Sequence, residues 1–155
     1  MRRKFQGMKK FAVIISFTIV FCQGPYVSPG VQLGYGFQEH VLYLSGQVTV
    51  GWFTNTYLNP GITLGLRRSK EKMYHYVDLQ NTLVDFGFGI GLMRNNSDSN
   101  DKYIKSKLWL WIPYNYYPYG LLAFENLAKK GDSIIPQMGI FFVFPVLTRV
   151  DGISY

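Results

Sequence analysis

The sequence predicts an all-β protein, an antiparallel up-and-down β-barrel of about eight strands that follows an N-terminal signal peptide. Three observations carry this prediction. Apolar and polar residues alternate with period two along most of the chain after residue 25, as they do in strands with two different faces. Glycine is frequent, at 16 residues, and on several of these strands it occupies the face opposite the large apolar residues. Short polar segments separate the alternating stretches, as turns separate the strands of a meander.

The first residues have the layout of a secretory signal peptide. Five basic residues precede the apolar run 11–21, which is shorter than the about 20 residues that a membrane-spanning helix needs. The predicted domains are therefore a signal peptide over 1–24 and a barrel over 25–155. An uncleaved anchor is the alternative. Translation can start at Met1 or Met8, and cleavage can follow Cys22 or Gly24.

Charge and cysteine content exclude several classes of site. Loss of residues 1–22 leaves 11 basic and 9 acidic residues, a formal charge of +2 instead of +7, so no basic face for nucleic acid remains. The single cysteine, Cys22, lies at the end of the leader, which leaves no internal disulfide. The two histidines, His40 and His75, are far apart in sequence and do not have metal-ligand spacing. We predict no metal and no cofactor.

The first strands follow from the alternation. Strand one starts at Ser28, strand two covers 42–52, and residues 59–66 repeat the pattern of 28–35, which predicts that strand three starts on the same side of the sheet. Residues 73–94 are long for one membrane strand of about 9 to 11 residues, and Asp78 has the same parity as Phe86. We therefore predict a break near 80–82, between strand four (73–80) and strand five (83–93). One overlong strand with a bulge is the alternative.

The remaining strands are separated by connections of two kinds. Strand six covers 103–112, strand seven 117–127 and strand eight 137–144. The connections 67–72, 94–102 and 128–133 are charged, whereas 53–59, 80–82 and 113–116 carry no charge and lie among many Trp and Tyr residues, Trp109 and Trp111 included. Because such rings prefer the lipid headgroup level, the second set of connections predicts a membrane boundary.

The last strand carries a recognisable order of residues. Gln137, Gly139, Phe142 and Phe144 resemble the closing-strand signal by which Gram-negative outer-membrane β-barrels are recognised by their assembly machinery. The whole mature chain resembles the small outer-membrane barrels of the OmpA and OmpX type. The resemblance implies a monomer in the outer membrane that contacts membrane lipid and the assembly machinery, with a role in envelope structure, adhesion or small-solute interaction. The tail after Phe144 departs from the family, whose members typically end at the aromatic residue of the signal.

The distribution of large and small residues predicts which face is inside. A soluble core made of glycine would be nearly empty, whereas a narrow lumen needs small residues, so we expect the large side chains to face lipid. A soluble exported barrel that carries an apolar ligand is the alternative. Because side chains fill so small a barrel, we do not expect an open porin. The candidates for a lumen network or a small polar binding cavity are Gln47, Thr49, Thr63, Arg67, Lys105, Lys107 and Glu125.

The histidines raise a second alternative, a lipid-modifying enzyme of the outer membrane. Such an enzyme would use a histidine as base together with a serine or an acidic partner. No serine stands two places from His40 or His75, and Asp78 has the opposite parity from His75. We therefore predict no catalytic residue and no enzymatic activity.

Overall fold

The computed structural model describes residues 22–54, 58–83, 86–98, 100–112, 119–129, 131, 133–144 and 146–147, without the side chains of residues 22, 23 and 147. All regular elements in these ranges are strands. They are β1 (Cys22–Gly36), β2 (Val41–Thr54), β3 (Asn59–Ser69), β4 (Lys72–Thr82), β5 (Phe86–Asn95), β6 (Lys102–Trp111), β7 (Tyr119–Ala128), β8 (Ile135–Val143) and β9 (Val146–Leu147). No helix in the described ranges is long and apolar enough to cross a membrane, a finding that concerns helices only.

Eight antiparallel strands close into a barrel. Each strand from β1 to β8 pairs with its neighbour in sequence, and β1 also pairs with β8, so the sheet has no free edge along most of its length. The predicted up-and-down barrel of eight strands is confirmed. The connections β1–β2, β3–β4, β5–β6 and β7–β8 lie at one end, here called the loop end. The start of β1 and the end of β8 lie at the other, here called the terminal end.

The short strand β9 was not predicted. It continues β8 along the start of β1, where Val146 and Leu147 pair with Val27 and Tyr26. Between β8 and β9 the Phe144 N–H donates to the Pro29 carbonyl at 2.8 Å. Pro29 has no N–H to donate in return, which accounts for a break in the ladder at this point. Strand β1 begins at Cys22, six residues before the predicted start. The predicted signal peptide, residues 1–24, lies mostly outside the described residues.

The predicted break in the segment 73–94 is a hairpin, so the alternative of one overlong bulged strand is wrong. The turn lies later than predicted, because Asn81 and Thr82 still pair with β3 and β5 on either side. The hairpin also explains why Asp78 and Phe86 have the same parity in sequence although one is charged and the other apolar. Asp78 faces the interior, whereas Phe86 on the next strand faces outward.

The barrel is apolar outside and polar inside. Leu42, Leu64 and Leu92 point outward and are 65%, 62% and 62% exposed. By contrast, Gln32 and Lys105 point inward and are fully buried. This distribution is the reverse of a soluble core, in which charged side chains are almost never fully buried. The prediction that the glycine-bearing face lines the interior is correct.

Aromatic rings also lie inside, and three of them lie closely against a glycine of the neighbouring strand. A Cβ atom built on any of these glycines would lie 2.2 to 2.3 Å from a ring atom, so each ring lies flat in the space that the glycine leaves. The in-register pairs are Gly34 with Tyr43, Gly65 with Tyr76 and Gly87 with Trp109. Trp109 was predicted to belong to the aromatic group at the membrane boundary, and this prediction is wrong. Trp109 shares the inward parity of Lys105 and Lys107 and is only 3% exposed.

Candidate functional site

Charged side chains from four strands meet at the middle of the interior. They are Arg67 on β3, Asp78 on β4, Lys105 and Lys107 on β6, and Glu125 on β7, and each is at most 5% exposed. We call these five residues the charged layer. Three cations face two carboxylates, so the layer has one positive charge in excess. Burial of so many charges is costly unless they are paired and hydrogen-bonded.

Glu125 is the centre of the charged layer. Its Oε2 atom accepts a hydrogen bond from Arg67 Nη2, and its Oε1 atom lies 3.5 Å from Lys105 Nζ and 3.7 Å from Lys107 Nζ. Gln32 Nε2 also donates to Oε1, at 3.3 Å. One carboxylate therefore contacts all three cations of the layer.

The Arg67 guanidinium has a partner in each direction. Its Nε atom donates to Ser45 Oγ at 2.9 Å, and Nη1 donates to Gln137 Oε1 at 2.7 Å, in addition to the bond to Glu125. The Tyr43 ring lies under it, 4.0 Å from Cζ to the ring centroid. A planar group with several fixed donors suits such a site better than a lysine ammonium does.

The ammonium groups of Lys105 and Lys107 differ in how closely they contact their oxygen partners. Lys105 Nζ donates to Asp78 Oδ2 at 2.7 Å and lies 3.7 Å from the centroid of the Tyr76 ring. Lys107 Nζ has its oxygen partners at 3.4 and 3.7 Å and lies 4.1 Å from the centroid of the Phe141 ring. Lys107 is therefore the cation with the longest polar contacts in the layer.

A glycine makes the pair between Lys105 and Asp78 possible. Gly91 of β5 lies between them in register, paired with Asp78 on one side and with Lys105 on the other. A Cβ atom on Gly91 would lie 2.2 Å from Asp78 Oδ1. Without a side chain at Gly91, the lysine can reach across the intervening strand to the carboxylate.

The structure places all seven predicted lumen residues inside the barrel. Arg67, Lys105, Lys107 and Glu125 belong to the charged layer. Gln47 accepts a hydrogen bond from the Tyr76 hydroxyl at 2.9 Å, and the hydroxyl oxygens of Thr49 and Thr63 are 2.8 Å apart. A ligand-binding role for these residues stays a prediction. Other members of the same network were not among the predicted lumen residues, and they are Gln32, Tyr43, Ser45, Tyr76 and Asp78.

A cavity of about 430 Å³ lies between the charged layer and the terminal end. Its walls include Tyr26, Phe53, Trp109 and Phe141, with Gln80 among the few polar groups. The predicted small cavity was polar, whereas this one is lined mainly by aromatic and aliphatic side chains. On the loop-end side of the charged layer, a space beside the Arg67 side chain has only about 20 Å³. In the part of the chain that the structure describes, side chains thus fill the middle of the barrel.

A second polar cluster lies at the loop end, around Asp101. Its carboxylate accepts hydrogen bonds from Asn95 Nδ2 at 3.2 Å and from the Tyr74 hydroxyl at 3.4 Å, and it pairs with Lys129 Nζ at 3.2 Å. Burial raises the pKa of the Asp101 carboxyl, but hydrogen bonds from Tyr103, Asn95 and Lys129 outweigh burial and leave this pKa below its usual value. The cluster ties the β5–β6 connection to the barrel wall.

The histidines do not meet an acidic partner in the described residues. His75 faces outward between Leu66 and Arg94, whereas Asp78 faces the interior on the same strand. His40 lies in the β1–β2 connection, where its Nδ1 atom is 2.9 Å from the Tyr35 hydroxyl. Groups of three or more metal-ligating side chains are absent from the described ranges.

The predicted assembly signal coincides with the strand that closes the barrel. Gln137 and Gly139 of β8 face inward, Phe142 faces outward at 41% exposure, and Phe144 follows the end of the strand. Gln137 and Gly139 pair with β1, with the partners Gly36 and Gly34. Recognition of this strand by the assembly machinery stays a prediction.

No protein-family model, no curated protein and no solved structure matches this chain.

Proposed function

We propose that the protein is a small integral β-barrel of the Gram-negative outer membrane, with a structural role in the envelope and no open pore. The observation that carries the proposal is the inverted distribution of side chains, with charges fully buried inside and large apolar residues exposed outside. The proposal assigns no catalysis to the chain.

The outward surface is suited to lipid. On β5 the outward residues Phe86, Phe88, Ile90 and Leu92 are 43%, 50%, 59% and 62% exposed, and similar residues continue on the other strands. Soluble monomers rarely expose contiguous apolar patches larger than a few hundred Å². In a bilayer the same surface is the favoured one, as in outer-membrane barrels with an apolar band.

Strand length and closure agree with a membrane barrel. Strands β3 to β8 have 9 to 11 residues, and a tilted membrane strand needs about 9 to 11. Unpaired backbone N–H and C=O groups are costly in hydrocarbon, and a closed ladder of hydrogen bonds leaves few of them. Trp52, Trp111 and Tyr119 are exposed near the terminal end, where aromatic residues would meet the headgroups.

The proposal includes an orientation and two partners. The terminal end, whose exposed residues include Trp52, Trp111 and Tyr119, faces the periplasm, and the charged connections of the loop end face the cell exterior. Export depends on residues 1–24 as signal peptide, and insertion depends on the assembly machinery through Gln137, Gly139, Phe142 and Phe144. The inserted protein is a monomer that contacts membrane lipid.

Fractionation with a gel test of heat modifiability tests the proposal. The full chain is expressed in a Gram-negative host, outer membranes are isolated, and boiled and unboiled samples are compared. We expect the protein in the outer-membrane fraction with faster mobility before boiling, because a closed barrel resists detergent. Recovery as a soluble periplasmic protein would overturn the proposal and leave the soluble carrier barrel as the alternative.

The terminal-end cavity favours a second candidate function, binding of a small apolar molecule. Its volume of about 430 Å³ lies within the range of about 300 to 1,000 Å³ that is usual for ligand pockets. Trp109 lines it, so quenching of tryptophan fluorescence by the apolar dye N-phenyl-1-naphthylamine can report occupancy. Thr49→Phe would fill the cavity from its wall and should remove the saturable part of the quenching. Unchanged saturable quenching in this variant would exclude the cavity as the binding site.

A further inference from the structure

We propose that an outward row of three side chains, His75, Arg94 and Lys102, binds the phosphomonoester headgroup of a membrane lipid. We call these three residues the cationic row. The inference depends on the proposed function, because it needs a bilayer around the barrel.

The row is set by strand register. His75 of β4 pairs with Arg94 of β5, and Arg94 pairs with Lys102 of β6. All three residues are exposed and point to the outside of the barrel. Adjacent strands are about 4.8 Å apart, so the row spans about 10 Å across three strands.

The positive charges of Arg94 and Lys102 are not balanced within the described chain. Like charges directly opposite each other on neighbouring strands are destabilising. The basic residues at the loop end that do have an acidic partner are Lys72 and Lys129, which both pair with Asp101. In the described ranges neither Arg94 nor Lys102 forms an ion pair. An anion from outside the protein would relieve this repulsion.

The row lies at the border of the apolar surface. Two residues further along the same strands, Val77, Leu92 and Ile104 form the next outward row and are 40%, 62% and 54% exposed. In a bilayer that contacts these aliphatic side chains, the cationic row falls at the level of the headgroups. The lipid phosphate is the anion that is abundant at this level.

The chemistry of the row favours a phosphomonoester over a phosphodiester. A guanidinium binds two phosphate oxygens at once, and a lysine ammonium and an imidazole N–H can each reach a further one. A phosphomonoester offers three terminal oxygens and about −1.5 to −2 charge, which suits three donors side by side. Arg68 on β3 pairs with Met73, so it lies diagonally from His75, and it adds a further guanidinium close to the row.

Native mass spectrometry of the full chain in detergent micelles tests the proposal. The probes are dioleoyl phosphatidic acid, a phosphomonoester, dioleoyl phosphatidylglycerol, a phosphodiester, and inorganic phosphate. The variants are Arg94→Gln and Lys102→Gln. Lys70→Gln is the matched control, because Lys70 is also an exposed lysine of the loop end but lies in the β3–β4 connection.

We expect the unmodified protein to retain phosphatidic acid in preference to phosphatidylglycerol and to retain no inorganic phosphate. Arg94→Gln and Lys102→Gln should each raise the apparent Kd for phosphatidic acid about fivefold, the contribution usual for one basic residue at an anionic membrane surface. Lys70→Gln should leave it unchanged. The proposal would be overturned if all three variants lost affinity for phosphatidic acid equally. It would also be overturned if the unmodified protein retained phosphatidylglycerol or inorganic phosphate as well as phosphatidic acid.

Insertion is measured separately, so that the two proposals can fail independently. All variants are refolded into pure phosphatidylcholine vesicles and examined by heat modifiability. If the unmodified protein does not insert, the proposed membrane function has failed. If all variants insert equally and phosphatidic acid shows no preference, only the cationic row has failed.

Discussion

Substitution of Glu125 by glutamine should strongly destabilise the barrel, because Glu125 contacts all three cations of the charged layer. The change keeps the shape of the side chain and removes its charge. Arg67, Lys105 and Lys107 would then face Asp78 alone, and the excess of positive charge in the layer would rise from one to two.

The size of the effect follows from burial. Removal of one partner from a buried ion pair costs about 3 to 5 kcal/mol, because the remaining charge stays buried without compensation. Glutamine still offers one oxygen to Arg67, so we expect about 3 kcal/mol, at the lower end of this range. The matched control is Glu39→Gln, an exposed glutamate of the β1–β2 connection, which should change the free energy of unfolding by about 0.5 kcal/mol or less.

The assay is urea unfolding of the full chain in phosphatidylcholine vesicles, with the folded fraction measured on unboiled gels. A loss below about 1 kcal/mol, or one no larger than that of the control, would refute the reasoning. A second substitution sharpens the test. Lys107→Met removes the cation with the longest contacts and returns the excess charge to one, so in the Glu125→Gln background it should restore about 1 kcal/mol or more.

Three further predictions concern the wall and the loop end. Ile90→Arg, near the middle of the outward apolar surface of β5, should destabilise the barrel in vesicles by about 2 to 4 kcal/mol. The control Ser97→Arg, in the β5–β6 connection, should not destabilise it. Equal effects of the two substitutions would contradict a lipid-facing wall. Gly65→Ala should lower the free energy of unfolding by about 1 to 3 kcal/mol, because the new methyl group meets a tyrosine ring at 2.2 Å. Gly46→Ala, with nothing within 4 Å of the new atom, should be nearly neutral, and a similar loss for both would refute the steric explanation. The lowered pKa of Asp101 stabilises the fold above the unfolded-state pKa of the carboxyl, about 4, and this contribution is lost as the pH falls through the lower folded-state pKa. In Asp101→Asn the free energy of unfolding, measured in urea, should therefore change less between about pH 5 and pH 2 than in the unmodified protein. An unchanged pH dependence would exclude this carboxyl as the cause.

The barrel could be predicted from sequence because its signals are local. Alternation shows which residues share a face, and the resemblance of residues 59–66 to 28–35 indicated two strands that start at the same end, as β1 and β3 do. Parity alone also placed all seven lumen candidates correctly inside, since residues i and i+2 share a face of a strand.

The partners inside the barrel could not be predicted, because they depend on register between strands. Asp78 and Lys105 meet only because Gly91 lies between them in register, and the sequence alone does not give that alignment. Trp109 was misplaced for a different reason, because its position near the end of its strand was weighed above its parity with Lys105 and Lys107, which already indicated the interior. What register adds is Gly87 of the neighbouring strand, which leaves room for the Trp109 ring inside the barrel.

The narrow interior also indicates where further functions can lie. Glycines opposite the rings of Tyr43 and Tyr76 bring strands and rings close together, and Arg67 lies between these two rings, 4.0 and 5.7 Å from their centroids. A lumen filled in this way leaves little space for passage through its middle, so a molecule that interacts with the barrel must approach from one of its surfaces. Two surfaces offer different chemistry. The terminal end has a cavity with aromatic walls, and at the loop end Arg94 and Lys102 have no acidic partner among the described residues. If both proposals hold, an apolar molecule would bind from the periplasm and a lipid phosphate from the outer leaflet, and the charged layer would keep the two sites apart.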